Sequence, residues 1–159
     1  MKIKLSVNGE VIETVIQPGD RLLGTLRDLG FTGVKKGCGE GTCGSCSVLV
    51  DGKLALSCVI YSAAMQGRAL TTIEGLGNVD DPHAIQIEFV KAGAVQCGFC
   101  TPGMVLATKA LLDVNPSPTE DDIKRALDGN LCRCTGYVKI LEAVTNAATL
   151  LRSSRQAEG

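Results

Sequence analysis

The first 75 residues carry the alternation of apolar and polar positions that is typical of β-strands. The segments IKLSV and VIETVI alternate on either side of Asn8-Gly9, a dipeptide that strongly favours a two-residue hairpin turn. The segment SVLVDGKLALS repeats this arrangement around Asp51-Gly52. The pattern therefore predicts two β-hairpins in this part of the chain.

One helix is predicted between the two hairpins, within the segment GDRLLGTLRDLG. Its leucines, at positions 22, 23, 26 and 29, recur at helical spacing. Asp20 is the predicted N-cap, and Gly30 is the predicted residue just past the helix end. Two hairpins and one packed helix predict a small α+β domain over residues 1–75.

The pattern changes to helical beyond a predicted linker, EGLGNVDDP, which is rich in glycine and acidic residues and ends in proline. Four helical segments follow, with Thr101 and Thr119 as the predicted N-caps of the second and third. The segments are HAIQIEFVKAG, TPGMVLATKALLDVN, PTEDDIKRALDG and GYVKILEAVTNAATLL. The chain is therefore predicted to have an all-α domain of four helices over residues 82–152, and a flexible tail at 153–159.

Composition and charge exclude several classes of function. The chain has 159 residues, 45% of them hydrophobic, and 16 Lys plus Arg against 17 Asp plus Glu. The formal charge of −1 favours neither nucleic acid nor an anionic membrane as a partner. No apolar run approaches the roughly 20 residues of a membrane span, and the amino terminus lacks a secretory signal. We therefore expect a cytoplasmic protein whose thiols stay reduced.

The chain has eight cysteines, which in a reducing compartment indicate metal ligands rather than disulfides. They divide into two sets of four, one in each predicted domain. The first set is Cys38, Cys43, Cys46 and Cys58, and the second set is Cys97, Cys100, Cys132 and Cys134.

The first set has the C-x4-C-x2-C spacing, with a distant fourth cysteine, that is typical of plant-type 2Fe–2S clusters. Its loop, GCGEGTCGSC, is rich in glycine, so its backbone can wrap closely around a cluster and aim N–H groups at the sulfurs. Structural zinc favours two short cysteine pairs that lie well apart. The spacing therefore favours an iron–sulfur cluster over zinc or structural thiols.

The same loop contains a GxGxxG pattern at Gly39, Gly41 and Gly44, which in another context binds dinucleotides. That fingerprint requires a strand before it, a helix after it and a carboxylate about 20 residues further on. Here a cysteine occupies one of the variable positions and an alternating strand follows. We therefore assign these glycines to the metal loop.

The second set combines C-x2-C with C-x-C, a spacing that leaves an iron–sulfur cluster, zinc and inert thiols all open. Local structure favours the cluster, because Cys100 directly precedes one predicted helix, and Cys132 and Cys134 precede another. Helix amino termini stabilise anionic sulfur through their free N–H groups and positive dipole ends. Two such helices that face each other would hold a cluster between them.

The remaining motifs add no substrate chemistry. His83 is the sole histidine, which excludes a Rieske-type site with two histidines, and we expect it to be an exposed residue near a helix start. The sequence contains no Ser-His-Asp set, P-loop or paired catalytic carboxylates. We therefore expect no substrate active site on this chain.

Four motifs together, GCGEGTCGSC with its distant cysteine, QCGFCTPGM, NPSPT and GNLCRCTGY, resemble those of a known family. The family is the small iron–sulfur subunit of the molybdenum hydroxylases, which include xanthine dehydrogenases, aldehyde oxidoreductases, carbon monoxide dehydrogenases, nicotinate dehydrogenases and 4-hydroxybenzoyl-CoA reductases. The resemblance extends from about residue 2 to residue 148. One departure is that Ser45 and Ser47 flank Cys46 where the family more often has Ala and Thr.

The resemblance implies an α+β chain with a ferredoxin-like β-grasp domain followed by a four-helix domain, each with one 2Fe–2S cluster. The second cysteine set is then expected to lie next to a molybdopterin cofactor, in its cytosine dinucleotide form. Gln96 is expected to lie near the pterin of that cofactor. The first cysteine set is expected nearer an FAD. Electrons from a substrate oxidised at molybdenum would pass through both clusters to the flavin.

The resemblance also implies two partners, namely a large subunit that binds the molybdopterin and a separate medium subunit that binds FAD. The assembly is expected to be a dimer of heterotrimers. Two other functions stay open on the residues alone. One is a free-standing ferredoxin-like carrier that serves several partners, and the other is an interaction module that is stabilised by zinc.

Overall fold

Five short strands form one mixed sheet in the order β2-β1-β5-β3-β4. The structure is a computed structural model and describes residues 1–157. β1 pairs antiparallel with β2 and parallel with β5, while β3 pairs antiparallel with both β4 and β5. The strands are Lys2–Val7 (β1), Glu10–Val15 (β2), Ser47–Val50 (β3), Lys53–Leu56 (β4) and Ala69–Thr71 (β5).

Both predicted hairpins are confirmed. Asn8 and Gly9 join β1 to β2 with φ values of 53° and 87°, and Asp51 and Gly52 join β3 to β4 with φ values of 49° and 78°. Positive φ at both central residues is what a tight hairpin turn of the type I′ class requires, and Asn, Asp and Gly adopt it most readily.

The predicted first helix is present as Leu22–Asp28 (α1) and packs its leucines against the sheet. Gly30, just past its end, has a φ of 96° and is confirmed as the residue that stops the helix. The prediction that Asp20 is the N-cap is wrong, because Arg21 holds that position without a side-chain cap. The Asp20 carboxylate instead accepts a hydrogen bond from the Gln17 N–H (2.7 Å) and stabilises the turn before the helix.

Four helices make up the second half of the chain, as predicted, and the observed α+β architecture confirms the fold class. They bury a common core in which Phe89, Met104, Ile123 and Ile140 are at most 1% exposed. Leu54 of the sheet also packs against this core, so the two halves of the chain share an interface. The helices are Ala84–Lys91 (α2), Thr101–Val114 (α3), Glu120–Leu127 (α4) and Val138–Ala157 (α5).

Of the two N-caps predicted for these helices, one is confirmed and one is wrong, and the exposure predicted for His83 is also wrong. Thr119 caps α4, where its hydroxyl accepts from the Asp122 N–H, as predicted. The N-cap of α3 is Cys100 rather than Thr101, so the prediction is wrong by one residue and a cysteine occupies the helix end. His83 caps α2 through Nδ1, which accepts from the Ile85 N–H (3.2 Å), and it is half-buried rather than exposed.

The last helix continues through Ala157, past residue 152, where the sequence predicted the helical domain to end. Residues 158 and 159 of the predicted tail lie outside the described residues. The domain limits and the flexibility of the tail stay predictions. Within residues 1–157, no helix combines the length and the apolar content that crossing a membrane requires.

Candidate metal centres

The first site lies in the loop between α1 and β3, which turns tightly because Gly39 and Gly41 have φ values of 77° and 82°. The turn aims backbone donors at sulfur. The N–H groups of Glu40 and Thr42 donate to Cys38 Sγ at 3.3 and 3.4 Å, and the Cys38 N–H donates to Cys43 Sγ at 3.3 Å. The loop therefore surrounds its sulfurs with N–H donors, as the glycine-rich sequence predicted.

Two buried cysteines complete this site from the sheet. Cys46 directly precedes β3, and Cys58 lies in the short 3₁₀ turn after β4. The Ser57 hydroxyl donates to the Cys46 carbonyl oxygen (2.7 Å), which fixes the two cysteines relative to each other. Because β3 and β4 are the arms of one hairpin, the 11 residues that separate these cysteines in sequence bring them together in space.

The thiols of the first site differ strongly in acidity. Hydrogen bonds from the Thr42 side chain and from the backbone of Glu40 and Thr42 lower the pKa of Cys38 to about 5. Burial, together with the neighbouring Cys46 thiol, raises the pKa of Cys58 to about 11. The exposed end of the site therefore already favours the thiolate, which is the form that binds metal.

The second site gathers cysteines from three places in the helical half. Cys97 follows α2, Cys100 is the N-cap of α3, and Cys132 and Cys134 lie in the loop before α5. The sulfurs of Cys97 and Cys134 are 3.6 Å apart. The four cysteines come together as the spacing predicted.

The prediction that Cys132 and Cys134 directly precede the last helix needs correction, because α5 begins only at Val138. The donors to Cys132 Sγ come from the intervening loop. They are the Thr135 N–H (3.4 Å) and the Thr135 hydroxyl (3.1 Å). A loop residue thus provides the stabilisation that was expected from a helix end.

These contacts set the acidity of the second site. Burial acts to raise the pKa of Cys132, but the hydroxyl and N–H of Thr135 outweigh it and lower that pKa to about 7. Burial, together with the Cys132 thiol, raises the pKa of Cys100 to about 12. The hydrogen bond and the charge of Cys97 raise the pKa of Cys134.

Within each site, neighbouring thiols act on one another. The sulfurs of Cys97 and Cys134 lie 3.6 Å apart, and the thiols of Cys43, Cys46 and Cys132 contribute to the pKa shifts of Cys38, Cys58 and Cys100, respectively. Within residues 1–157, no three Cys, His, Asp or Glu side chains form a group that would hold a single ion. Four cysteines per site, with N–H and hydroxyl donors to their sulfurs, are the ligand set of a 2Fe–2S cluster. The donor set fits a 2Fe–2S cluster at each site.

The two sites meet at a junction formed by Cys43–Gly44, Gly103 and Gly129–Leu131. The Leu131 N–H donates to the Cys43 carbonyl oxygen at 2.9 Å, and Asn130 Nδ2 donates to the Gly44 carbonyl oxygen at 3.2 Å. The backbones approach so closely that a Cβ added at Gly44 would lie 2.5 Å from the Gly129 carbonyl oxygen. The ligand loops of the two sites are therefore directly hydrogen-bonded to each other.

Comparisons with known proteins agree with this geometry. A model described as a 2Fe-2S iron-sulfur cluster binding domain matches residues 5–70, and one described as a [2Fe-2S] binding domain matches residues 72–145. The nicotinate dehydrogenase small FeS subunit of Eubacterium barkeri is 49% identical over 146 residues, 91% of this chain and 93% of that protein. The nicotine 6-hydroxylase small subunit of Paenarthrobacter nicotinovorans is 41% identical over 148 residues, 92% of this chain and 89% of that protein.

A solved structure shows the same relationship. Quinoline 2-oxidoreductase from Pseudomonas putida 86 contains a chain that superposes with a TM-score of 0.91 at 38% identity, covering 96% of both chains. The fold and the two sites thus define an iron–sulfur protein with two 2Fe–2S domains. This chain belongs to the family of 2Fe–2S subunits of the molybdenum hydroxylases, which are electron-transfer subunits of multi-subunit oxidoreductases.

Three residues around the sites were not identified from the sequence. They are Asn130 and Tyr137, which hydrogen-bond within the junction and the second ligand loop, and Thr135, which donates to Cys132. All three lie within the motif GNLCRCTGY, so the motif itself was the available signal. Gln96 is exposed and directly precedes the exposed Cys97.

Proposed function

We propose that this chain transfers electrons between a molybdopterin and an FAD that two different partner subunits hold. The ligands of its first 2Fe–2S cluster are Cys38, Cys43, Cys46 and Cys58, and those of the second are Cys97, Cys100, Cys132 and Cys134. When bound, each cluster takes up and releases one electron at a time. The observation that carries the proposal is that each of the two matched 2Fe–2S domains contains four cysteines whose sulfurs accept hydrogen bonds from the surrounding loop.

The backbone around the sulfurs supports charge storage at both sites. A 2Fe–2S cluster with four thiolates carries a formal charge of about −2 when oxidised, and reduction adds another negative charge. Burying that charge is costly unless hydrogen-bond donors meet it. The Glu40 and Thr42 N–H groups at the first site, and the Thr135 N–H and hydroxyl at the second, are such donors.

The exposure of the cysteines supports the passage of electrons from one site to the other and to partner surfaces. Cys97 and Cys134 are exposed at the second site, and Cys38 is exposed at the first. Cys43 and Cys132 lie on the inner side, on either side of the hydrogen bond between the Cys43 carbonyl and the Leu131 N–H. Each site thus has one edge at the surface and one edge toward the other site.

The surface beside the second site supports docking of the molybdopterin subunit there. Exposed apolar side chains flank the ligands in sequence, among them Phe99 (46% exposed), Leu131 (55%) and Val138 (70%). Apolar groups exposed in this way mark interaction surfaces when they lie together. We place Gln96 at this contact, beside the pterin.

The surface beside the first site is different and supports docking of an FAD subunit. A cleft of about 390 Å³ reaches Cys58 there, and three basic residues line it against one acidic residue; the charged residues are Arg21, Arg27, Lys36 and Asp28. Arg21 also stacks on the exposed Tyr61 ring at 4.0 Å. Basic groups around a cleft favour an acidic partner surface and speed its association. We propose further that the complex is a cytoplasmic dimer of heterotrimers.

Native purification of the tagged chain tests the proposal against its rivals. We expect two partner chains, molybdenum, a pterin cytosine dinucleotide and FAD to co-purify with it. A free-standing ferredoxin-like carrier would instead be isolated alone with its iron. A zinc-stabilised interaction module would contain zinc and lack the visible absorption of iron–sulfur clusters.

A further inference from the structure

Asn130 occupies the centre of the junction between the two cysteine sites. It is 4% exposed, and its Nδ2 donates to the Gly44 carbonyl oxygen at 3.2 Å, across 86 residues of sequence. Its own N–H donates to the Leu127 carbonyl oxygen at 2.8 Å, which anchors it to the end of α4. One residue therefore connects the first ligand loop, through its side chain, to a helix of the second half, through its backbone.

Tyr137 extends this connection to a ligand of the second site. Its hydroxyl accepts from the Cys132 N–H at 2.8 Å and donates to the Asn130 carbonyl oxygen at 3.1 Å. Tyr137 has a φ of 70°, a conformation that is rare for a non-glycine residue and persists where surrounding contacts enforce it. The segment from Asn130 to Tyr137 is thereby closed into a hydrogen-bonded loop.

Leu131, which follows Asn130 in the sequence, links the two sites through a backbone hydrogen bond. The Leu131 N–H donates to the Cys43 carbonyl oxygen at 2.9 Å, and Leu131 is covalently bonded to Cys132. The hydrogen bonds of Leu131 and Tyr137 therefore end on cysteine residues, and that of Asn130 ends on Gly44, which directly follows Cys43. Groups that orient metal ligands in this way set site geometry to within fractions of an ångström.

We propose that Asn130 is a positioning residue that holds the two metal sites at one fixed separation and orientation, with Leu131 and Tyr137 as the other members of the connection. This inference rests on the proposed function, because it presumes a cluster at each site. It predicts that loss of the Asn130 amide leaves both clusters in place and loosens their relative geometry.

The test uses Asn130→Ala and the isosteric Asn130→Asp, which removes the Nδ2 donor. Tyr137→Phe is a third variant that keeps the ring and removes the hydroxyl. Asn146→Ala is the matched control, since Asn146 is exposed on α5. Two quantities are measured in each protein. One is the magnetic splitting between the two reduced clusters by electron paramagnetic resonance, and the other is amide hydrogen exchange of the segment 129–137 by mass spectrometry.

We expect the two Asn130 variants to retain wild-type iron content and the g values of each cluster. Their magnetic splitting should broaden or diminish, and exchange in the segment 129–137 should accelerate on the order of threefold to tenfold, the factor that corresponds to one lost hydrogen bond. Tyr137→Phe should accelerate exchange similarly, and Asn146→Ala should match the wild type.

The inference would be overturned if both Asn130 variants kept the wild-type magnetic splitting and the wild-type amide exchange. If the Asn130 variants do not fold, unchanged amide exchange in Tyr137→Phe would overturn it instead. Failure of the proposed function is recognised separately. A wild-type chain with fewer than two paramagnetic centres would contradict the clusters, and the exchange rates would still decide whether Asn130 holds the two loops together.

Discussion

The hydroxyl of Thr135 donates a 3.1 Å hydrogen bond to the Sγ of Cys132, and the Thr135 N–H donates to the same sulfur at 3.4 Å. Two donors from one residue therefore converge on a sulfur that is also partly buried. Hydrogen bonds to cluster sulfurs stabilise the more negative, reduced state and so raise the reduction potential.

We therefore predict that Thr135→Val lowers the midpoint potential of the second cluster. The loss of one hydrogen bond of about 1 kcal/mol corresponds to on the order of 20 to 60 mV for a one-electron couple. A redox titration followed by electron paramagnetic resonance measures this shift. Thr149→Val, at an exposed position of α5, is the control and should leave both potentials unchanged. An unshifted second potential in Thr135→Val would show that the hydroxyl does not tune the cluster.

The close approach of backbones at the junction predicts opposite effects for two glycine-to-alanine changes in helices. Gly24 in α1 has open space around it, so Gly24→Ala should stabilise the chain by up to about 1 kcal/mol through helix propensity. At Gly103 in α3, an added Cβ would overlap the Gly44 carbonyl oxygen and lie 3.0 Å from Asn130 Nδ2. Gly103→Ala should therefore destabilise the chain by about 1 to 3 kcal/mol. Denaturant unfolding of both variants measures these changes in the free energy of unfolding. An increase in both variants would mean that the junction is loosely packed.

His83 predicts a pH dependence of stability. Its Nδ1 can cap α2 only when the ring is neutral, and burial, followed by the charge of Lys109, lowers its pKa below 6.5, while Asp113 opposes this shift. Because the folded pKa is lower than the unfolded one, the contribution of the cap is complete above 6.5 and is lost as the pH falls through the folded value.

We expect the melting temperature to decline as the pH is lowered from about 8 to about 5.5. The corresponding decrease in the free energy of unfolding should be below about 1 kcal/mol, the value of a partly exposed N-cap. His83→Asn, which caps without titrating and removes the sole histidine, should remove this decline. An equal decline in both proteins would assign it to other groups.

How far the sequence predicted the fold depended on how local each signal is. The hairpins at Asn8-Gly9 and Asp51-Gly52 and the cap at Thr119 were correct, because each turn or cap is determined by residues within a few positions. Asp20 and Thr101 were wrong as caps, because several neighbouring residues compete for the N-cap and packing selects one of them.

The metal sites were predicted by a different kind of signal. Cysteine spacing and motif divided the thiols into two sets, and the structure brings each set together. The role of Asn130 was not predictable in this way, because its partner Gly44 is 86 residues distant and the contact depends on how the two halves pack. The hydrogen bond between the two ligand loops, from the Leu131 N–H to the Cys43 carbonyl oxygen, was likewise not predictable from the local sequence pattern.

Loss of the first cluster should interrupt electron flow to the flavin without affecting the molybdenum end. Cys46 is 2% exposed, so Cys46→Ser removes a buried, proposed ligand of the first site and leaves the four cysteines of the second site unchanged. In a complex that retains its pterin and flavin, the substrate that reduces the wild-type enzyme should reduce molybdenum and the second cluster and leave the flavin oxidised.

The control for this experiment is Ser45→Ala, which changes a buried neighbour in the same loop and leaves the ligands intact. Rapid anaerobic mixing with absorbance detection follows the flavin in both variants. Flavin reduction at the wild-type rate in Cys46→Ser would show that the first cluster does not lie on the electron path.

The central claim is that the eight cysteines hold two separate 2Fe–2S clusters, one in each domain. Iron and sulfide analysis combined with electron paramagnetic resonance of the reduced wild type, Cys43→Ser and Cys132→Ser tests it most directly. We expect about four irons and about four acid-labile sulfides per wild-type chain, with two distinguishable signals. Each substitution should remove about half the iron and a different one of the two signals. Zinc in place of iron, or the loss of both signals from either folded variant, would contradict the claim.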